Sequence, residues 1–289
     1  MIKSWPNFLL VGAPKSGSTS VANYLNEHPK VFIPDEKELF YFASDAISKV
    51  TPNDPMYAAI LKTAKLDKKS YFDTFKQSNK PFRGEATVHY LYHFDEVIPK
   101  VKEELGDIKI IILLRNPVHR AFSNFNYQQR GQVCSFEQAL KQEAERKKLG
   151  YNSFWYYKEG GLYYRPVKNY LENFSSVHVC FYEDLKKDPA KFMKQIYSFL
   201  GVDETFVPNL QKVHNKTVVP KNRLVHLLLY AKHRLGFRLR LPSAIRKRLY
   251  KESNKKLSPQ TEKQLKEWFA EDVEKLEKLL NVELSAWYK

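Results

Sequence analysis

Residues 8–20 place an apolar run directly before a loop that is rich in hydroxyls and contains one lysine, Lys15. The run Phe8–Gly12 has the length of a buried strand, and Ser18–Glu27 has the pattern of a helix that Pro29 ends. A tight turn between a strand and a helix presents unpaired N–H groups and the positive end of a helix dipole, which together bind anions. The further groups expected to contact such an anion are Ser16, Gly17, Ser18, Thr19 and Ser20.

The position of the lysine separates this loop from the loops that bind ATP. Gly12 and Gly17 have the spacing of such a loop, but Ser18 stands where an ATP-binding loop has its lysine. Lys15 lies inside the loop instead, where an ammonium would sit beside the 5'-phosphate and not beyond it. The spacing therefore favours a nucleotide with a single 5'-phosphate that carries a transferable group, and it argues against a kinase.

A second anion-binding pattern lies about a hundred residues later. The apolar run Ile108–Leu114 ends at Arg115, and Pro117 then begins a helix that carries Ser123. A guanidinium recognises phosphate in a planar, bidentate manner that an ammonium cannot reproduce. Arg115 and Ser123 are eight residues apart, across a loop and two helical turns, so both can meet one anion.

These two segments resemble the nucleotide-binding motifs of sulfotransferases that use 3'-phosphoadenosine-5'-phosphosulfate (PAPS). Pro14–Thr19 resembles the loop that binds the 5'-phosphosulfate, and Arg115–Ser123 resembles the segment that binds the 3'-phosphate. Similar signatures of the carbohydrate-type and bacterial enzymes are Gly84–Thr87, Gly161–Tyr164 and Phe181–Leu185. The resemblance covers roughly residues 6–202. It implies PAPS as co-substrate, 3'-phosphoadenosine-5'-phosphate (PAP) as product, no metal, and a P-loop NTPase-like α/β fold.

The resemblance also points to the catalytic groups. Glu38 falls where heparan-type sulfotransferases have a glutamate base before an aromatic pair, and Lys15 would stabilise the leaving phosphate. Glu36 and His89 remain alternatives for the base, since Glu36 is only two residues away in the alignment with the family and cytosolic small-molecule enzymes use a histidine. Lys37 and His89 are candidates for contacts with the acceptor.

Two further positions follow from the resemblance in the last quarter of the chain. Lys221 and Arg223, in the run Pro220–Arg223, match a loop that closes over the 3'-phosphate in this family.

Ala86 stands where heparan 3-O-type enzymes have a lysine, which argues against that substrate class. Ser20 replaces the adenine-stacking tryptophan of small-molecule sulfotransferases.

The elements that must position these residues form an alternating α/β pattern. Short apolar runs separated by helical patterns are typical of a mostly parallel sheet flanked by helices. The predicted strands are Phe8–Gly12, Phe82–Glu85, Ile108–Leu114 and Val177–Tyr182. Beyond Ser18–Glu27, helices are predicted near 95–105, 117–130, 135–148, 161–173, 189–200 and 258–280. We expect one domain over 1–289 with a basic subregion at 216–256.

The net charge of +16 favours anionic partners, and residues 216–256 contain thirteen of the Lys and Arg residues. Carbohydrate-type motifs predict a saccharide or glycolipid acceptor, acidic or neutral, with a small alcohol or amine as the alternative. The basic segment could also contact an anionic membrane surface. A nucleotide pocket that binds polyanions without catalysis is the remaining reading of the site.

Other features exclude several classes of protein. Zinc-finger, K-homology and RNA-recognition signatures are missing from the sequence, so nucleic acid is not an expected partner. Cys134 and Cys180 have no metal-ligand spacing and suit a reducing compartment. No apolar run approaches the length of a membrane span. A soluble, cytoplasmic protein is expected, with a lumenal catalytic domain that has lost its anchor as the alternative.

Overall fold

The computed structural model describes residues 5–129, 132–210, 218–221, 225, 227–228, 248–252 and 256–289. Its centre is a five-stranded parallel sheet in the order β2-β3-β1-β4-β5. The strands are β1 (Phe8–Gly12), β2 (Val31–Phe32), β3 (Phe82–Ala86), β4 (Lys109–Leu114) and β5 (Val177–Phe181). The predicted α/β class, with a parallel sheet flanked by helices, is confirmed.

The four strands predicted from the sequence are present, each within one residue of its expected bounds. The two central strands β1 and β4 are nearly continuous apolar runs because both faces of the sheet are covered, and all five residues of β1 are buried. The sequence prediction missed β2, which has only two residues and therefore no readable periodicity.

Helices cover both faces of the sheet. In chain order they are α1 (Ser18–Glu27), α2 (Ser44–Ser48), α3 (Tyr57–Thr63), α4 (Lys68–Asp73), α5 (Phe94–Glu104), α6 (Pro117–Gln128), α7 (Phe136–Lys141), α8 (Glu143–Lys148), α9 (Tyr164–Asn173), α10 (Tyr182–Lys187), α11 (Pro189–Leu200) and α12 (Pro259–Leu280). The bounds of α1 and α11 agree with the prediction. The single helix predicted at 135–148 is instead two helices, which meet at Gln142.

Alternate residues of β4 enter two different hydrophobic cores. Ile110 and Ile112 belong to the larger core with α5, α6, α9 and α12. Ile111 and Leu113 belong to the second core with α1 and α11. Because side chains alternate across a strand, one apolar run holds helices on both sides of the sheet.

The last helix, α12, packs largely as its amphipathic pattern predicts. Leu265, Phe269, Val273 and Leu276 are buried against the larger core. The spacing of the apolar residues in 258–280 predicts Trp268 on the same buried face, but its side chain is 50% exposed and the centre of its ring lies 4.4 Å from the Lys158 ammonium. That expectation was wrong because the buried stripe is narrower than the run of apolar residues.

The basic segment is described only in part. Strands β6 (Val218–Pro220) and β7 (Tyr250–Glu252) pair antiparallel, and the Lys221 N–H donates to the Leu249 carbonyl at 2.9 Å. Across the described ranges, no helix is long and apolar enough to cross a membrane.

Gly84 in β3 provides a test of the packing between neighbouring strands. A Cβ at Gly84 would lie 2.0 Å from the ring of Phe8, its partner in β1. We expect Gly84→Ala to lower the free energy of unfolding by about 1–3 kcal/mol, because the buried ring has to be displaced. Urea denaturation followed by circular dichroism measures this change.

Gly160→Ala is the matched control for Gly84→Ala. A Cβ at Gly160 would meet only ordinary contacts, the nearest at 3.5 Å from the Arg120 guanidinium. Its free energy of unfolding should stay within about 0.5 kcal/mol of the parent protein. Equal losses in the two variants would contradict the packing derived for Gly84.

Candidate functional site

A cavity of ≈ 520 Å³ opens at the carboxyl ends of the strands. Loops that follow all five strands supply wall residues, which is the usual place for a ligand in an open parallel sheet. The lining residues are Lys15, Gly17, Ser18, Thr19, Ser20, Lys37, Glu38, Phe40, Met56, Ala59, Ile60, Thr63, Val88, Arg115, Ser123, Tyr127, Phe154 and Tyr182.

The loop after β1 brings Lys15 to the wall. Its backbone has φ 68, and Gly17 at the start of α1 has φ 94, so the loop turns through two left-handed residues. The Lys15 ammonium lies 4.1 Å from the centre of the Tyr127 ring. Burial, together with the charges of Arg115 and Lys37, lowers the pKa of Lys15 to about 8.

Gly17 is needed for its packing as well as for its backbone conformation. A Cβ at this position would lie 2.9 Å from Leu185 and 3.0 Å from the Tyr182 ring, both on α10. The start of α1 is therefore fixed against α10. The ring of Tyr182 also faces the Arg115 guanidinium at 4.5 Å, so α10 holds both anion-binding segments in place.

Arg115 follows β4 and is tied to the loop after β1. Its Nη1 donates to the Lys15 carbonyl at 2.9 Å, and its own carbonyl accepts from the Tyr163 hydroxyl at 3.0 Å. Burial lowers the pKa of the guanidinium, which nevertheless stays charged. Ser123 lines the same cavity from α6, so the structure brings together the arginine and the serine that the sequence paired.

Glu38 occupies the opposite part of the wall. Its backbone has φ 61, its N–H donates to the Ala86 carbonyl at 3.3 Å, and its Oε2 accepts from the Val88 N–H at 3.1 Å. The residue is half-buried and lines the cavity. Burial by the cavity walls raises the pKa of Glu38 to about 7, against the opposing effects of Lys37 and the Val88 N–H.

The segment that carries Glu38 is fixed by a buried polar cluster. The Leu39 N–H donates to Thr87 Oγ1 at 3.0 Å, and the Thr87 hydroxyl donates to the Glu85 carboxylate. That carboxylate also accepts from the hydroxyls of Tyr71 at 2.7 Å and Tyr90 at 3.1 Å. Burial raises the pKa of Glu85 to about 7. Because every contact runs to the end of β3, the sheet itself sets the position of the Glu38 segment.

Lys37 connects the two parts of the site. Its Nζ donates to Thr19 Oγ1 at 3.2 Å, which joins the loop after β2 to the start of α1. Burial lowers the pKa of the ammonium, while the charge of Glu38 opposes this shift. Among the described residues, the cavity is therefore lined by three cationic groups and by one carboxyl group of raised pKa.

Several candidates from the sequence lie away from the cavity wall. The His89 ring is buried, with Nδ1 2.6 Å from Ser153 Oγ and its edge against Phe40 and Phe154. Burial holds its pKa well below the usual range. Glu36 is exposed and pairs with Lys65 at 3.3 Å.

Three residues predicted to bind the donor do not line the described part of the cavity. Ser16, within the loop after β1, is fully buried and does not line the cavity, and its hydroxyl has no partner among the described residues. Lys221 is exposed and does not line the cavity. Arg223 lies outside the described residues.

The structure adds wall residues that the sequence did not single out. Tyr127 is 53% exposed and lies four residues after Ser123, so helical spacing alone could have placed both on one face. Tyr182 is the first residue of α10 and belongs to the family signature Phe181–Leu185. Phe154 and the 56–63 segment carry no such signal, because only long-range packing brings them to the cavity. No group of three or more possible metal ligands occurs within the described ranges.

Comparisons with known proteins now identify the family. The fold and site define an α/β protein with a cavity at the carboxyl edge of its sheet, lined by Lys15, Lys37 and Arg115. The model of the sulfotransferase domain family matches residues 6–279, and the chain belongs to this family. A solved sulfotransferase from Alicyclobacillus acidocaldarius is 30% identical, with 99% of each chain covered and a TM-score of 0.76.

Curated relatives are more distant and longer. The membrane-associated sulfotransferase kil1 of Dictyostelium discoideum is 30% identical over 42% of this chain and 23% of its own length. The heparan sulfate glucosamine 3-O-sulfotransferase 3B1 of Mus musculus is 23% identical over 69% of this chain and 47% of its own length. The chain thus matches less than half the length of these two relatives.

Thr87 tests whether the buried cluster positions the Glu38 segment. Thr87→Val keeps the shape of the side chain but removes the acceptor for the buried Leu39 N–H. An unsatisfied buried donor costs about 1–3 kcal/mol, so we expect a loss of unfolding free energy of that size. Urea denaturation measures the loss.

Thr74→Val is the matched control for Thr87→Val. The Thr74 hydroxyl is also mostly buried, but it only donates to the Ser70 carbonyl one turn earlier at 3.0 Å. Since that carbonyl belongs to a helix, the substitution should change stability by less than about 0.5 kcal/mol. An unchanged midpoint for Thr87→Val would contradict the role assigned to the cluster.

Proposed function

We propose that this protein transfers a sulfuryl group from PAPS to an acceptor hydroxyl. The observation that carries the proposal is the cavity itself, in which three cations face a carboxyl group of raised pKa. Sulfuryl transfer needs those two elements, namely positive charge on the departing phosphate and a base for the acceptor proton. The family to which the chain belongs uses PAPS as its donor.

In the proposed mechanism the acceptor oxygen attacks sulfur in line with the phosphate oxygen that leaves. The new S–O bond forms as the old one breaks, and the bonding pair stays on the 5'-phosphate of PAP. Glu38 takes the acceptor proton, and Lys15 with the N–H groups of the loop stabilises the phosphate. Lys37 lies between them, where it can contact the transferred group.

The donor is expected to lie along the loop after β1 and the segment after β4. Arg115 and Ser123 would bind the 3'-phosphate, which distinguishes PAPS from ATP and from 5'-AMP. The hydroxyls of Ser18, Thr19 and Ser20 lie on the same wall. Contacts of Lys221 and Arg223 with the 3'-phosphate, and of Ser16 with the donor, remain predictions from the sequence and the family resemblance.

The acceptor has two candidate classes. The mouse relative is named for heparan sulfate, which supports a saccharide or glycolipid hydroxyl. The uncharged lining beyond Glu38 favours a small alcohol instead. Contact with a membrane surface and a cytoplasmic location remain predictions from the sequence.

The pKa directions give a pH profile for kcat/KM. Glu38 must be deprotonated to act as a base, and its pKa is raised to about 7, so activity should fall as pH drops below that value. Lys15 must be protonated, and its pKa is lowered to about 8, so activity should also fall as pH rises above that value. Initial rates measured with radiolabelled PAPS across a pH range that spans both pKa values should therefore give a narrow, bell-shaped profile.

Substitution at Glu38 tests whether its carboxyl group acts as the base or only contributes charge to the site. Glu38→Gln should lower kcat by about 10²–10⁴-fold, remove the acidic limb and leave PAP affinity unchanged. Glu36→Gln is the matched control, since Glu36 is two residues away but outside the wall, and its profile should equal that of the parent. A larger loss of kcat at Glu36 would overturn the assignment of the base.

Calorimetric titration tests the donor directly. PAP should bind at least tenfold more tightly than 5'-AMP or ATP, and Arg115→Ala should abolish that preference because the guanidinium contact to the 3'-phosphate is lost. Arg165→Ala is the control, because Arg165 pairs with Asp95 on the outer surface. A preference for ATP would refute PAPS as donor. If PAP bound tightly but no acceptor were sulfated, the protein would be a nucleotide-binding protein without catalytic activity, and the proposed transfer would be refuted.

A further inference from the structure

The cavity wall has two chemically different halves. The half formed by the loop after β1, Arg115 and Ser123 is polar and cationic. The other half lies next to Glu38, on the side formed by Phe40, Val88 and α3, and it is almost wholly apolar. Its described residues are Phe40, Met56, Ala59, Ile60, Val88 and Phe154, with Thr63 beside them.

The cations of the cavity are engaged near the donor half. Lys37 donates to Thr19, Lys15 lies against Tyr127, and Arg115 donates to the Lys15 carbonyl. Among the described lining residues there is no further Lys or Arg. Against the residues that the structure describes, a polyanionic saccharide would therefore meet an apolar surface where its sulfates and carboxylates need counter-charge.

The apolar half also offers few partners for saccharide hydroxyls. In the part of the chain that the structure describes, this half contains no amide side chain and no carboxylate besides Glu38. The hydroxyl of Thr63 already donates to the Ile60 carbonyl at 3.3 Å. Hydroxyl groups of a sugar would lose water here without replacement hydrogen bonds, which is unfavourable.

Packing contacts hold the apolar residues of this half in place. Helix α3 turns Ala59, Ile60 and Thr63 towards the cavity, and Ile60 packs on Phe40 in a small core of their own. The Phe154 ring stacks on Tyr127 at 6.2 Å. An aromatic or alicyclic body placed here would gain roughly 25 cal/mol for each Å² of apolar surface buried.

We propose that the acceptor is an uncharged alcohol whose hydroxyl is attached to an apolar aromatic or alicyclic body, and that α3 with Phe154 selects it. This inference rests on the proposed sulfuryl transfer. It places the hydroxyl at Glu38 and the apolar body against the wall formed by α3 and Phe154. It also separates this chain from a relative named for heparan sulfate.

An acceptor competition tests the inference. The full chain is incubated with radiolabelled PAPS and either 2-naphthol, methyl glucoside or a desulfated heparan oligosaccharide. We expect kcat/KM for 2-naphthol to exceed both saccharides by at least about tenfold, a difference of about 1.4 kcal/mol. Higher kcat/KM for either saccharide would overturn the inference and leave the proposed function standing. Failure of the proposed function looks different, because then no acceptor gains label.

Variants of α3 show whether the polarity of this wall makes the selection. Ala59→Gln places an amide on the apolar wall and should raise KM for 2-naphthol about tenfold. Ala59→Leu has a similar size without polarity and should change that KM much less. Ala58→Gln is the matched control, since Ala58 is exposed on the same helix but does not line the cavity. Equal effects of Gln and Leu at position 59, or an effect of Ala58→Gln, would refute selection by polarity. PAP affinity, measured by calorimetry, should be the same in all three.

Discussion

The convergence of three cations on one cavity is the constraint on which the rest of this structure depends. Lys15, Lys37 and Arg115 are all held where burial lowers their pKa, and the charges of Arg115 and Lys37 add to this effect at Lys15. Such an arrangement is unfavourable in the free protein, because like charges repel and little water screens them. A polyanionic nucleotide relieves both effects at once. The site is therefore built for an anion before the anion arrives, which is the preorganisation that transfer chemistry needs.

Holding a carboxylate beside these cations raises a second physical problem. A close ion pair with Lys37 would lower the pKa of Glu38 and so weaken this carboxyl group in its proposed role as a base. The structure instead gives Glu38 Oε2 a backbone partner, the Val88 N–H. It also fixes residues 38–40, two of which have positive φ, through Thr87 and the buried Glu85 cluster. Local strain is thus maintained by the sheet and not by the cations.

The parts of this site that could be predicted from the sequence are those with local signals. The strand–loop–helix unit at 8–27 and the arginine after β4 each lie within a short segment, and the family resemblance supplied Glu38. The acceptor wall could not be predicted, because α3 and Phe154 meet only through packing between distant segments. The direction of the His89 ring was equally inaccessible, since a 3₁₀ turn over Val88–Leu91 decides that it points inward.

The net charge of the chain suggests an acidic acceptor, whereas the apolar wall of the cavity suggests an uncharged one. The two observations are compatible because net charge and wall polarity act over different distances. Net charge acts over several ångströms and raises the local concentration of any anion, including the donor. Discrimination between acceptors takes place at contact distance, where desolvation and shape dominate. The charge of +16, much of it in residues 216–256, therefore bears on how anions approach the protein. In the proposed reaction, the apolar wall near Glu38 would bear on which hydroxyl can remain beside that carboxyl group. A basic sulfotransferase need not act on an acidic acceptor, because the group that its charge must attract is already present in the donor.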